Sequence, residues 1–373
     1  MKPLEGVKVL DFSTLLPGPL ASLFLAEAGA DVLKIERPGH GDEMRIYTPK
    51  FGTDSINFAL LNRGKRSLAI DLKAKDAIAQ LTPLIREADI LLEQFRPGTL
   101  DRLGLGYDAL AKINPGLIYC SITGYGPSGP LAQVAAHDLN FCAETGVLSL
   151  AAGTDGTPGL PALLVGDIAG GTLPAVLNIL LALRQRDKTG TGCKLDITMA
   201  DNLFTLMYWA IGEGAAAGKW PYGGSGLVTG GSPRYNIYRT ADDRFLAAAP
   251  LEDKFWNNFC DVIGLAADER NDTADPQGVK QAAAALIRRH TAEEWQRRFE
   301  GKDVCCNVVV SLKDAMSNPH FRERKLFDWT VEAEGKTITA LPVPIAAQFR
   351  GPPDRKTYPT LGESNAVPSG KRD

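Results

Sequence analysis

The chain has 373 residues, 41 basic and 44 acidic side chains, a formal net charge of −3, 44% hydrophobic residues and 23% charged ones. At roughly 150 residues per domain this length implies two or three domains, and the ordinary globular mix excludes disordered, collagen-like and fibrous classes. A near-neutral balance without a long Lys or Arg run argues against nucleic acid as the main partner.

The first 130 residues alternate strand and helix patterns. Residues 7–12 read as a buried strand. Leu16-Pro17-Gly18-Pro19 then opens a helix that runs to Ala28-Gly29, and 31–36 forms a second strand. This βαβ unit implies parallel pairing through a right-handed crossover. Strands follow at 67–72, 89–95 and 117–123, with helices near 76–87 and 107–113, which argues for an open α/β sheet. A long apolar helix covers 168–186, a strand 193–198 and a helix 200–212. Residues 212–232 hold eight glycines and Pro221, as a boundary or mobile connection does. Beyond lie a hairpin (235–240 and 245–249) and helices at 253–263, 279–290 and 292–300. The expected division is a large domain of 1–211 plus 331–373, a linker of 212–232 and a small α+β domain of 233–330, with a surface tail from Gly351.

The N-terminus enters a strand with no signal core or cleavage pattern, so a cytoplasmic protein is expected. The longest apolar stretch, 168–183, contains Gly170, Gly171, Pro174 and Asn178 and reads as a buried helix too short for a bilayer, so no membrane partner is expected. Six cysteines, Cys120, Cys142, Cys193, Cys260, Cys305 and Cys306, show no CxxC or metal-ligand spacing and are expected to be reduced, mostly buried and metal-free.

The first βαβ unit mimics a dinucleotide fold, with Glu36 near the expected position about twenty residues past the turn. Yet Leu15-Leu16-Pro17-Gly18-Pro19 is not G-x-G-x-x-G, and proline removes an amide that a pyrophosphate needs. Arg37, Arg63-Gly64-Lys65-Arg66, Arg96 and Arg102 follow strand ends. They either hold phosphates of a nucleotide or solvate loop tips.

Of four histidines, His137 follows the loop Thr123-Gly124-Tyr125-Gly126-Pro127-Ser128-Gly129-Pro130 off a strand and is the best general base or acid; a structural role is its alternative. Asp167 precedes the long helix, either as its N-cap or as a carboxylate whose pKa rises in an apolar pocket. In the second case the amides of Ala169-Gly170-Gly171 would be open to an oxyanion. Glu252 begins a helix after the hairpin and suits capping or catalysis equally.

These pieces resemble the family III CoA-transferase (CaiB/BaiF) superfamily, closest to its α-methylacyl-CoA racemase branch. The resemblance runs over most of the chain. It includes Leu4-Glu5-Gly6-Val7-Lys8-Val9-Leu10-Asp11, Pro17-Gly18-Pro19, Gly29-Ala30-Asp31-Val32, Ile35-Glu36-Arg37-Pro38-Gly39, Asn62-Arg63-Gly64-Lys65-Arg66-Ser67, Phe95-Arg96-Pro97-Gly98, Gly124-Tyr125-Gly126 and Arg184 with Thr189-Gly190. It implies a large Rossmann-like domain completed by a C-terminal return, a small α+β domain, and an interlocked homodimer with active sites between large and small domains of different chains. Coenzyme A, part of the substrate and not a prosthetic group, would lie on Arg37, Lys65, Ile70, Asp71, Arg96, Arg102, Gly124 and Tyr125. Ala136-His137-Asp138-Leu139-Asn140-Phe141, Leu164-Val165-Gly166-Asp167 and Pro250-Leu251-Glu252-Asp253-Lys254-Phe255 are similar to racemase segments. They imply an isomerase of lipid metabolism in which His137 and Asp167 exchange the α-proton of a 2-methylacyl-CoA, with Asp138 and Glu252 in support. The alternative is a CoA-transferase that passes the acyl group through an aspartyl-CoA thioester on Asp167. Ala136, where racemases usually carry glycine, and the glycine-rich 212–232 segment depart from the racemase pattern.

Overall fold

A computed structural model describes residues 2–151, 153 and 156–366; part of the expected tail, 367–373, lies outside the described residues. The chain divides into two compact units. The first comprises Met1–Thr145, Leu163–Phe204 and Pro319–Asp373, the second Gly146–Ala162 and Thr205–Asn318. The expected boundaries at 211 and 331 therefore shift. The 212–232 segment belongs to the second unit, where helix Tyr208–Ala217 and a π-helical turn at Leu227–Gly231 take up most of it. Some of its glycines serve close packing: a Cβ on Gly214 would lie 2.3 Å from the Trp220 ring.

The first unit is built on six parallel strands: β1 (Lys8–Asp11), β2 (Asp31–Glu36), β3 (Arg66–Ala69), β4 (Ile90–Glu93), β5 (Ile118–Thr123) and β6 (Cys193–Thr198). Their order across the sheet is β3-β2-β1-β4-β5-β6, the doubly wound order. The central strands are apolar on both faces because helices cover both, so Ile90, Leu91 and Leu92 are fully buried. Helix Pro17–Glu27 is buried along its whole length. Gly18 is required there because a Cβ would sit 2.2 Å from Ser13 Cβ. The C-terminal return adds a three-stranded sheet, Lys336–Thr339, Thr330–Ala333 and Arg355–Thr357. It is pinned to the central sheet by Asn365, whose carboxamide exchanges hydrogen bonds with the Ala69 backbone at 2.9 and 2.7 Å.

The long apolar helix departs from expectation. Leu173–Thr189 continues without a break from a π-helical turn at Gly166–Thr172, giving 24 helical residues, enough by length and composition to cross a membrane. It is not fully buried either, since Leu173, Leu177, Leu180 and Leu181 are exposed.

The second unit has a three-stranded antiparallel sheet with Phe245–Ala248 between Asn236–Arg239 and Cys306–Val308. Its core gathers Trp256, Phe259, Trp295 and Phe299, the last two rings stacked at 5.5 Å. Thr291 and Glu294 form a capping box at the start of helix Ala292–Phe299. All six cysteines are free thiols, with Cys305 exposed and Cys193 half-buried.

Candidate active site

Connections leaving β1 and β4 diverge to opposite faces of the sheet, and the crevice between them is where a doubly wound fold receives ligands. A cavity of about 380 Å³ opens there. Leu15 and Pro17 line it from the β1 connection, Gln94, Phe95, Arg96 and Pro97 from the β4 connection, and Thr123, Gly124 and Tyr125 from the end of β5. His137, Asn140, Phe141 and Asp167 also line it, together with apolar residues such as Val134, Ala136 and Met199.

Under the cavity lies a buried charge network that sets the β1 connection. Lys34 Nζ pairs with Asp42 at 2.9 Å and donates to the Ser13 carbonyl at 2.6 Å. Asp42 Oδ1 accepts the Leu15 amide at 3.0 Å, which holds Leu15 at φ +62°, a left-handed conformation that leucine adopts only under constraint. Lys65 Nζ donates to the Pro19 carbonyl and Asn62 Oδ1, both at 2.8 Å, and lies 3.4 Å from Asp11. Its side chain has no solvent exposure. Burial, opposed by Asp11, lowers its pKa to about 7. Lys65 is thus not a phosphate contact, as the sequence suggested, but a support for the start of helix Pro17–Glu27. Glu36 is likewise taken, by Arg45 at 2.7 Å and by the Ser67 hydroxyl at 2.6 Å, so it cannot serve a ribose.

His137 precedes helix Asp138–Glu144 and is exposed in the cavity. Its amide donates to Asn140 Oδ1 at 3.0 Å, which fixes the backbone that carries the imidazole. The next residue, Asp138, is buried, and its Oδ1 accepts the Asp167 amide at 2.9 Å. One short segment therefore supplies the imidazole and also anchors the aspartate that shares its cavity. Burial raises the Asp167 pKa to about 6, the Asp138 charge adds to the rise, and His137 opposes it. Such a carboxyl exchanges protons near neutrality.

The N-cap reading of Asp167 is corrected. Its side chain caps nothing, and it sits inside the π-helical turn, a local widening that often marks functional sites. A Cβ on Gly170 would approach the Met199 carbonyl oxygen to 2.3 Å, so the turn needs glycine for packing. The amides of Ala169, Gly170 and Gly171 expected to face an oxyanion lie within the same π-helical turn. The Asp167 amide goes to Asp138 and that of Ile168 to the Leu164 carbonyl at 3.0 Å.

Arg37, Arg96 and Arg102 are exposed beyond the ends of β2 and β4, and Arg37 and Arg96 form no ion pair among the described residues. Ile70 is buried after β3, while Asp71 is exposed and accepts the Lys73 amide at 3.0 Å. Gly124 and Tyr125 border the cavity, with the Tyr125 ring edge-on to Phe141 at 5.3 Å. Glu252 lies in the second unit, exposed at the N-cap of helix Asp253–Ile263 without a capping bond from its side chain. Asn140 stands inside the His137 motif, and an Asn three residues into a helix start is a local capping signal. Leu15 and Gln94 carried no sequence signal.

CoA-transferase family III matches residues 4–365. The α-methylacyl-CoA racemase of Homo sapiens is 33% identical over 364 residues, covering 96% of this chain and 91% of its own. The acetyl-CoA:oxalate CoA-transferase of Acetobacter aceti is 32% identical, covering 98% of this chain and 94% of its own. The crystal structure of a CaiB/BaiF family protein from Brucella suis superposes with a TM-score of 0.82 at 27% identity, covering 98% of each chain. The chain therefore belongs to CoA-transferase family III, the superfamily that joins CoA-transferases with acyl-CoA racemases.

Proposed function

We propose that the protein is a 2-methylacyl-CoA racemase in which His137 and Asp167 exchange the α-proton. The observation that carries this reading is the single cavity shared by an exposed imidazole and a carboxyl raised to about 6. In one direction ionised Asp167 removes the α-proton and protonated His137 returns one to the opposite face. In the other direction the roles reverse. Both directions pass through an enolate of the thioester and end with both groups ready for the reverse turn. The chemistry requires no prosthetic group; coenzyme A enters as part of the substrate, over the free guanidinium groups of Arg37 and Arg96. Asp138 is assigned as the positioning residue for Asp167, and Glu252 as a supporting carboxylate from the small unit.

The competing reading makes Asp167 a nucleophile that attacks an acyl-CoA carbonyl and later carries CoA as a thioester. Near-equal identity to a CoA-transferase favours keeping it. A single epimer of a 2-methylacyl-CoA incubated in deuterated water decides between them. Racemisation with α-deuterium supports proton exchange, whereas CoA transfer to a carboxylic acid without deuterium supports the nucleophile.

We also propose a homodimer. Leu173, Leu177, Leu180 and Leu181 recur at helical spacing and form an exposed apolar stripe on helix Leu173–Thr189, which a second copy would cover. Sedimentation at micromolar concentration tests it, and a monomer there would contradict it.

A further inference from the structure

The proton-exchange mechanism makes no use of Glu93, yet this residue is 5% exposed at the end of β4, immediately before the turn that lines the cavity. Its Oε2 accepts the Phe95 amide at 2.7 Å, and its Oε1 contacts the Ser121 hydroxyl on β5. Phe95, Arg96 and Pro97 lie on the main cavity, while Glu93, Arg96 and Pro97 also border a smaller cavity of about 180 Å³. Gln94 reaches the other way, its Oε1 accepting the Gly18 amide at 3.0 Å. The turn is thus tied at both sides, to the β1 connection through Gln94 and to the sheet through Glu93.

We propose that Glu93 is a positioning residue for coenzyme A binding, fixing the 94–97 turn so that Phe95 and Arg96 are presented to the nucleotide. The inference rests on the reading that this turn carries coenzyme A. Both carboxyl oxygens accept, Oε2 from the Phe95 amide and Oε1 from the Ser121 hydroxyl. The surroundings favour the neutral acid. Burial dominates, Asp101 and Asp196 add to the rise, and the Phe95 amide and Lys194 oppose it, leaving the pKa at about 7. Tyr119 and Cys120 on β5 and the exposed Arg96 complete the groups around it. Above that pH the carboxylate places a buried charge near Asp101 and Asp196, so the turn loosens and affinity falls as pH rises.

Calorimetric titration of full-length protein with free coenzyme A at pH 6 and 8.5 tests this for wild type, Glu93→Ala and Glu93→Gln. Glutamine keeps one acceptor and one donor and so mimics the neutral acid. At pH 6, Glu93→Ala is expected to bind about tenfold more weakly, the effect of about 1.4 kcal/mol, with rescue to within about twofold by Glu93→Gln. Between pH 6 and 8.5 wild type is expected to lose about tenfold more affinity than Glu93→Gln. If Glu93→Ala does not fold, the wild-type and Glu93→Gln profiles decide alone. Parallel pH profiles for those two proteins overturn the proposal, as does wild-type affinity in folded Glu93→Ala. No coenzyme A binding by wild type at either pH overturns the reading of the turn itself, and this inference with it.

Discussion

Replacing Asp138 by Asn removes a charge while keeping an oxygen that can accept the Asp167 amide, now bonded at 2.9 Å. The backbone anchor survives and only the electrostatic influence on Asp167 changes. Neighbouring like charges at an effective dielectric of about 20 repel by a few kcal/mol, and solvent reaching the open cavity reduces that to about 1.4 kcal/mol, one pKa value. The Asp167 carboxyl, raised to about 6 by burial first and Asp138 second, is then expected to fall to about 5. In the direction where Asp167 acts as base it must be ionised, so it governs the ascending limb of log kcat/KM against pH. The reverse direction starts from the same net protonation state with one proton moved from His137 to Asp167, and the epimer equilibrium does not vary with pH, so both directions share the same limbs. Asp138→Asn should therefore move the ascending limb down by about one pH value for both epimers. The assay is epimer interconversion followed from each pure epimer between pH 4.5 and 9. Limbs that stay in place in both directions would refute the electrostatic coupling of Asp138 to Asp167.

Gly170→Ala would drive a methyl group to 2.3 Å from the Met199 carbonyl oxygen, backbone that cannot swing aside. A loss of at least about 2 kcal/mol is expected in chemical denaturation, and an unchanged midpoint would contradict the packing assignment. Lys65→Met removes the donor to Pro19 and Asn62 and one of the two cations facing Asp11, so stability should fall by about 3 kcal/mol while folded protein retains coenzyme A affinity within a few-fold. Unchanged stability with affinity lost by tenfold or more would instead make Lys65 a direct ligand contact.

Much of the large unit was readable because its central strands are short apolar runs alternating with helical patterns. Residues 31–36 and 193–198 match the observed β2 and β6. The small sheet of the C-terminal return was missed because Lys336–Thr339 is mostly exposed and polar, leaving little alternation to detect. The expected helix over 200–212 breaks at Met207, where φ −96° and ψ 18° separate two helices, and no proline or glycine marks the spot. At the site, His137, Asp138 and Asp167 were singled out by residue type and resemblance. Their connection was not legible, because the Asp138–Asp167 hydrogen bond spans 29 positions and depends on how the π-helical turn packs. Lys65 misled for a related reason. A lysine in a run of basic residues looks solvated, and only the tertiary arrangement of Asp11, Asn62 and Pro19 makes its burial tolerable.

The central claim is that His137 and Asp167 share one α-proton exchange. Its most direct measurement is mass spectrometry and chiral analysis of a single 2-methylacyl-CoA epimer turned over in deuterated water. One deuterium is expected at the α-carbon of the inverted product, together with loss of racemisation in both His137→Ala and Asp167→Ala. Retention of the α-proton by wild type, with CoA passed to an added carboxylic acid by an Asp167-dependent and His137-independent route, would contradict it.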